Sequence, residues 1–101
     1  MAFTQGDEYL IPVLIKQKDT IITPENATGV KVGIGSAVSK YPDGDLMFAE
    51  GLWYFPLTQE ISLRIPEGEV EFQVAVKLTN NIVHSRTSYI DVYKTIFKGV
   101  W

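Results

Sequence analysis

The sequence predicts an all-β fold, and two observations lead to that class. Apolar residues recur at every second position over most of the chain, a period typical of half-buried strands. Turn-forming residues interrupt this alternation about every ten residues, a spacing typical of sandwiches and barrels. We therefore predict an antiparallel β-sandwich, Ig-like in appearance, with about seven to eight strands. Residues 1–101 should form a single domain, since no repeat, low-complexity tract or linker divides them.

The first strand is expected over residues 7–16. One face would carry Tyr9, Ile11, Val13 and Ile15, and the other Leu10, Pro12 and Leu14. Pro12 has no amide hydrogen to donate to a neighbouring strand, so its strand should be an edge strand or contain a bulge. A polar, turn-rich connection over residues 23–29 then leads to a strand at 30–34.

The middle of the chain predicts a hairpin and a strand that is bulky on both faces. Residues 41–45, YPDGD, match a type I turn, and residues 46–50 would be the return strand. Residues 51–56, GLWYFP, would need cover on both sides, from a second sheet or from another chain. Thr58 is placed to cap a single turn of helix.

The clearest hairpin lies near the end of the chain. Val70, Phe72, Val74, Val76 and Leu78 face one way and Glu71, Gln73 and Lys77 the other, and Asn80 and Asn81 tolerate the positive φ that a turn requires. The return strand, expected over residues 82–94, shifts its apolar phase partway along. This shift predicts a bulge near residues 85–88.

Composition disfavours several classes of function. The formal net charge of −3 provides no positive field for nucleic acid or an anionic membrane. The chain contains no cysteine, which excludes disulfides, thiolate metal sites and thiol nucleophiles. His84, the one histidine, has polar neighbours near a hairpin turn, which favours a solvated strand residue over a catalytic base. We expect no metal and no cofactor, because a zinc site needs more histidine or cysteine ligands.

Carboxylate pairs are the remaining candidates for catalysis. Glu67, Glu69 and Glu71 share one strand face by their spacing, and Asp43 and Asp45 flank a glycine. A glycosidase would need two carboxylates facing each other across a sugar-sized cleft. Acidic strand residues more often keep a sheet solvated and block edge-to-edge pairing. We therefore expect a protein that is not an enzyme.

Aromatic and apolar residues in the central strand and at the carboxy terminus predict an interaction surface. Core packing must account for alternate members of the central strand, while exposed members would contact a partner. Neighbouring aliphatic residues favour a protein partner. The predicted interface comprises Trp53, Tyr54, Phe55, Ile96, Phe97, Val100 and Trp101. The alternative is a carbohydrate-binding or adhesin-like module in which Trp53, Tyr54 or Tyr41 stacks on sugar rings.

Several segments resemble a known family. They are LTQEISL (57–63), GEVEFQV (68–74) and NIVHSRT (81–87), with a looser match at GDEYLIPV (6–13) and TGVKV (28–32). This pattern resembles the short β-sandwich structural proteins of tailed phages and prophages of Gram-positive bacteria, including the amino-terminal domain of the baseplate upper protein family. The resemblance implies a virion component of the tail, neck or baseplate and carries over no catalytic residues.

The expected partners are therefore other protein chains, either further copies of this one or neighbouring virion proteins, with no nucleic acid and no membrane. The amino terminus lacks a secretory signal pattern, and no apolar run approaches the length that spans a bilayer. We expect synthesis in the bacterial host cytoplasm and, after assembly, a place in the virion.

Overall fold

The computed structural model describes residues 2–97 and 99–100, and it confirms the all-β class, with 52 % strand and 6 % helix. The described residues contain eleven strands and one helix, α1 (Gln59–Arg64). The strands are β1 (Ala2–Thr4), β2 (Tyr9–Val13), β3 (Lys16–Gln17), β4 (Thr20–Ile21), β5 (Gly29–Ile34), β6 (Ala37–Tyr41), β7 (Met47–Ala49), β8 (Leu52–Leu57), β9 (Gly68–Lys77), β10 (Ile82–His84) and β11 (Ser88–Tyr93).

The larger sheet has six strands and is organised around β9, the longest strand. The order is β1-β11-β9-β5-β6, and β10 pairs with the part of β9 that β11 does not reach. The predicted return strand is thus divided into β10 and β11 by an interruption at residues 85–87, where a bulge was expected. β1 and β11 run parallel, while the other neighbours are antiparallel.

The smaller sheet has the order β2-β8-β7, and β3 and β4 form a separate two-stranded hairpin. Pro12 lies in β2 opposite Tyr54 of β8, and β2 is an edge strand, as its proline predicted. The short β3–β4 hairpin and the division of the return strand raise the strand count above the predicted seven to eight.

The predicted hairpin around residues 41–45 is wrong in its second strand. β7 does not return along β6 but pairs with β8 in the smaller sheet. Only the amide of Leu46 bonds back, to the carbonyl oxygen of Lys40 at 3.1 Å. Leu46 is buried and the Phe48 ring lies 5.0 Å from Trp53, so burial of these side chains draws the segment across to the other sheet.

Buried residues from both sheets form one hydrophobic cluster. In β9 the predicted face, which includes Val70, Val74 and Val76, points into this cluster. In β2, Ile11 and Val13 of one predicted face are buried, whereas Tyr9 of the same face is 42 % exposed at the start of the strand. Strand β8 alternates buried and half-buried residues, which matches the prediction that neither of its faces is fully solvated.

Helix α1 begins after Thr58, whose hydroxyl accepts a hydrogen bond from the Ile61 amide at 3.2 Å, as the sequence predicted. Ser62 in this helix is fully buried. Its hydroxyl donates to the Asp7 carbonyl oxygen at 2.7 Å and accepts from the Gly6 amide at 2.9 Å. These bonds fasten the helix to the loop between β1 and β2.

We expect the substitution Ser62→Ala to lower the free energy of unfolding by about 1–2 kcal/mol, because it removes the partner of two part-buried backbone groups, the Gly6 amide and the Asp7 carbonyl. Urea unfolding followed by circular dichroism measures the change. Ser36, exposed in the turn between β5 and β6, is the matched control, and its replacement by alanine should change stability by less than about 0.5 kcal/mol. Equal stability of the two variants would contradict the role assigned to the hydroxyl.

Candidate interaction surface

Trp53 and Phe55, predicted as interface residues, are core residues, with exposed fractions of 0 % and 1 %. The indole Nε1–H of Trp53 donates to the Ile22 carbonyl oxygen at 2.9 Å. The ring of Tyr41 meets the Trp53 ring edge-on at 5.3 Å between centroids. Alternation along β8 therefore turns these two aromatics inward and leaves only Tyr54 of the predicted trio on the opposite, half-buried face.

The same burial removes Trp53 from the residues considered for sugar stacking. A stacking platform needs an exposed aromatic face, and Trp53 exposes none. Tyr41 is half-buried and directs its ring against Trp53. A platform built on Trp53 is therefore ruled out by the packing of the strand.

The substitution Trp53→Phe should lower the free energy of unfolding by about 2–4 kcal/mol, since it leaves the Ile22 carbonyl unpaired and opens a void in the core. Guanidinium unfolding provides the measurement. Tyr89→Phe is the control, because Tyr89 is 59 % exposed and its loss should have little effect. A stability equal to that of the parent chain would show that Trp53 is not a core contact.

The carboxy-terminal segment carries exposed apolar side chains, as the sequence predicted. Ile96, Phe97 and Val100, here called the carboxy-terminal patch, are 85 %, 77 % and 60 % exposed. Trp101, the remaining predicted interface residue, lies outside the described residues. The start of the segment is positioned by the amide of Gln5, which bonds to the Tyr93 carbonyl oxygen at 2.9 Å.

A cleft of about 570 Å³ separates this segment from the rest of the chain. Its apolar walls are Leu63 of α1 and the patch residues Phe97 and Val100. The loop from Gln5 to Asp7 lines the same cleft with polar groups. The amino-terminal loop, the helix and the carboxy-terminal segment therefore meet in one surface, on which Phe97 and Val100 stay exposed among the residues that the structure describes.

The carboxylates considered for catalysis are spread over exposed positions. Glu69 lies opposite Asp91, and Glu71 opposite Tyr89, on the face of the six-stranded sheet that points away from the core. The carboxylate of Asp45 is elsewhere and accepts a hydrogen bond from the Ser39 hydroxyl. Glu69 and Glu71 thus project from one strand on one side of the sheet, and Asp45 lies apart from them after β6.

His84 lies on β10 opposite Ala75 and is exposed, in keeping with a solvated strand residue. No group of three or more potential metal ligands lies together in the described part of the chain. Over the same residues, no helix has the length and apolar character needed to cross a membrane.

A second surface was not predicted from the sequence. The outward face of the six-stranded sheet forms a shallow cleft of about 530 Å³, lined by Lys31, Gly33, Val38, Glu69, Glu71, Gln73, Ala75, His84 and others. The lining residues come from two strand pairs, β5 with β6 and β9 with β10, and the two pairs are distant from each other in sequence. Their grouping depends on strand order and register, which local patterns do not reveal.

No family model matches the chain, and neither the curated proteins nor the solved structures contain a match.

Tyr9, at the edge of the smaller sheet, has a perturbed hydroxyl. Burial raises the pKa of Tyr9 above its usual value of 10.0, and the nearby carboxylate of Asp7 raises it further. The neutral form is thus favoured in the folded chain. The Tyr9 hydroxyl makes its full contribution to the free energy of unfolding below the pKa of the unfolded state, about 10. This contribution is lost as the pH rises through the higher pKa of the folded state.

The substitution Tyr9→Phe removes the contribution of one phenolate to the absorbance at 295 nm. We expect this contribution to titrate above pH 10, with a midpoint higher than that of free tyrosine. Subtracting the alkaline titration of the variant from that of the parent isolates this signal. Above this pH the variant should also lose stability less steeply than the parent chain. A difference signal that titrates below pH 10 would contradict the assigned environment.

Proposed function

We propose that this protein is a non-enzymatic assembly component that joins other protein chains through its carboxy-terminal patch, as part of the tail, neck or baseplate of a phage or prophage virion. The observation that carries the proposal is the exposure of Ile96, Phe97 and Val100 beside a cleft with apolar walls at Leu63, Phe97 and Val100. Complete burial of a large apolar side chain contributes about 1.5–3 kcal/mol of favourable free energy. Burial of the patch against a partner would therefore stabilise the complex.

The fold fits a scaffold of this kind. We propose that the two sheets form an Ig-like β-sandwich, since residues of both contribute to one core. The edge-on contact between Tyr41 of β6 and Trp53 of β8 joins the larger sheet directly to the smaller one. A rigid two-layered support would hold the terminal segment in a fixed place, which reduces the entropy lost on binding.

The virion assignment is supported by the resemblance of segments 6–13, 28–32, 57–63, 68–74 and 81–87 to phage structural proteins. In the structure, these segments supply strands β2, β5, β9 and β10 and helix α1. They are thus the parts that build the support, and the patch follows them in the chain.

The test compares the full chain with the variant I96S/F97S, in which two exposed apolar side chains are removed without a change of net charge. We expect the parent to be an oligomer and the variant to have a lower solution mass by multi-angle light scattering across a concentration series. Met47→Ser is the matched control. Met47 is 49 % exposed on strand β7, outside the patch, and its replacement should leave the mass unchanged. A parent and variant of identical mass at every concentration would overturn the proposal for self-assembly.

A further inference from the structure

The outward face of the six-stranded sheet has charges of opposite sign at its two ends. At one end, Lys31 of β5 lies between Lys40 of β6 and Ala75 of β9, and Lys77 follows two residues further along β9. We call Lys31, Lys40 and Lys77 the basic end; all three are exposed. Asp43 is the one carboxylate residue that lines the adjacent cleft, so the balance there is positive.

At the other end, Glu69 lies opposite Asp91, and Glu71 is two residues further along β9 on the same face. We call Glu69, Glu71 and Asp91 the acidic end; all three are exposed. At about 3.3 Å per residue, Ala75 lies about 13 Å from Glu71 and about 20 Å from Glu69 along the strand. The two ends are therefore separate regions of one face and not a neutralised mixture.

The middle of the face has no charged side chain, and its central residue is a glycine. Gly33 lies opposite both Gln73 and Val38 and has no side chain to project. Val38 and Tyr89, each 59 % exposed, stand on either side of this centre. A second sheet face could approach closely here, because no bulky charged side chain stands at the middle.

The charge pattern of this face is complementary to that of a second copy when one particular two-fold rotation relates the two. A two-fold axis that crosses the strands at the level of Gly33 and Gln73 reverses the strand direction, so the row of Ala75 faces the row of Glu71 of a second copy. Because Lys31 and Lys40 lie to one side of β9 and Asp91 lies to the other, the axis must also be tilted by about 15° from the perpendicular to the strands, which gives the roughly 30° crossing usual for packed sheets. Lys31 and Lys40 then lie over Glu71 and Glu69 of the other copy and Lys77 lies near Asp91, and the contact occurs twice. An axis along the strands would instead bring like charges together.

We infer that this outward face is an interface between two copies of the chain, joined face to face about that axis by contacts between the basic and acidic ends. The occupant is a second copy because the face carries both halves of the charge pattern that it would need in a partner. This interface uses none of the carboxy-terminal patch, so it goes beyond the proposed function and can be tested independently of it.

The test is made in the I96S/F97S chain, which lacks the two most exposed side chains of the patch. We expect a dimer at low salt whose dissociation constant rises at least tenfold between about 50 mM and about 500 mM NaCl, because exposed charge pairs are screened. A strict monomer at low salt and at every concentration would overturn the inference.

Charge reversal then identifies the face. The variant K31E/K40E has two acidic ends and the variant E69K/E71K has two basic ends, so each alone should be monomeric. An equimolar mixture should form a heterodimer, and the chain with all four substitutions should dimerise again. Sedimentation velocity distinguishes these states.

The chain with four substitutions is also the control for folding, since its dimerisation would show that the individual changes are tolerated. K16E/K18E, in the exposed β3–β4 hairpin, changes the net charge as much as K31E/K40E and should leave the dimer intact. A mixture that stays monomeric, or a dimer that persists in either reversal variant alone, would show that the pairs do not form.

Discussion

Burial of Trp53 is the contact on which the rest of the structure depends. Its indole donates to Ile22 in the segment after β4, while its ring contacts Tyr41 of β6 and Phe48 of β7. One side chain thereby connects the six-stranded sheet, the three-stranded sheet and the intervening segment. The hydrogen bond matters as much as the area, because a buried indole N–H without an acceptor would oppose folding.

This core determines where interaction surfaces can lie. Since inward positions of β8 and β9 are used in packing, their side chains are not available to a partner, which must bind elsewhere on the surface. The carboxy-terminal patch is apolar and the outward face of the six-stranded sheet is charged. The two surfaces thus differ in chemistry: burial of apolar area stabilises contacts at the first, and charge complementarity sets the orientation at the second.

Much of the fold could be predicted from single residues and short stretches of the sequence. The alternation of Val70 to Leu78, the cap at Thr58 and the edge position of Pro12 each follow from a residue's own backbone chemistry or from a period of two. The partner of residues 46–50 could not be predicted, because turn residues allow a hairpin but burial of Leu46 and Phe48 decides which sheet the segment joins. Among the predicted interface residues, Ile96, Phe97 and Val100 are exposed and Trp53 and Phe55 are buried, a difference that the sequence pattern does not reveal.

The sequence by itself determined the all-β class, the faces of the long strands and the apolar character of the carboxy-terminal segment, since these depend on short-range periodicity and composition. Only the tertiary structure decided that Trp53 lies in the core and that Lys31 and Glu71 lie at opposite ends of one face. The physical reason is that an alternating strand obeys the same pattern whether its apolar face meets its own chain or another. Charges from distant strands become neighbours only after strand order and register are set.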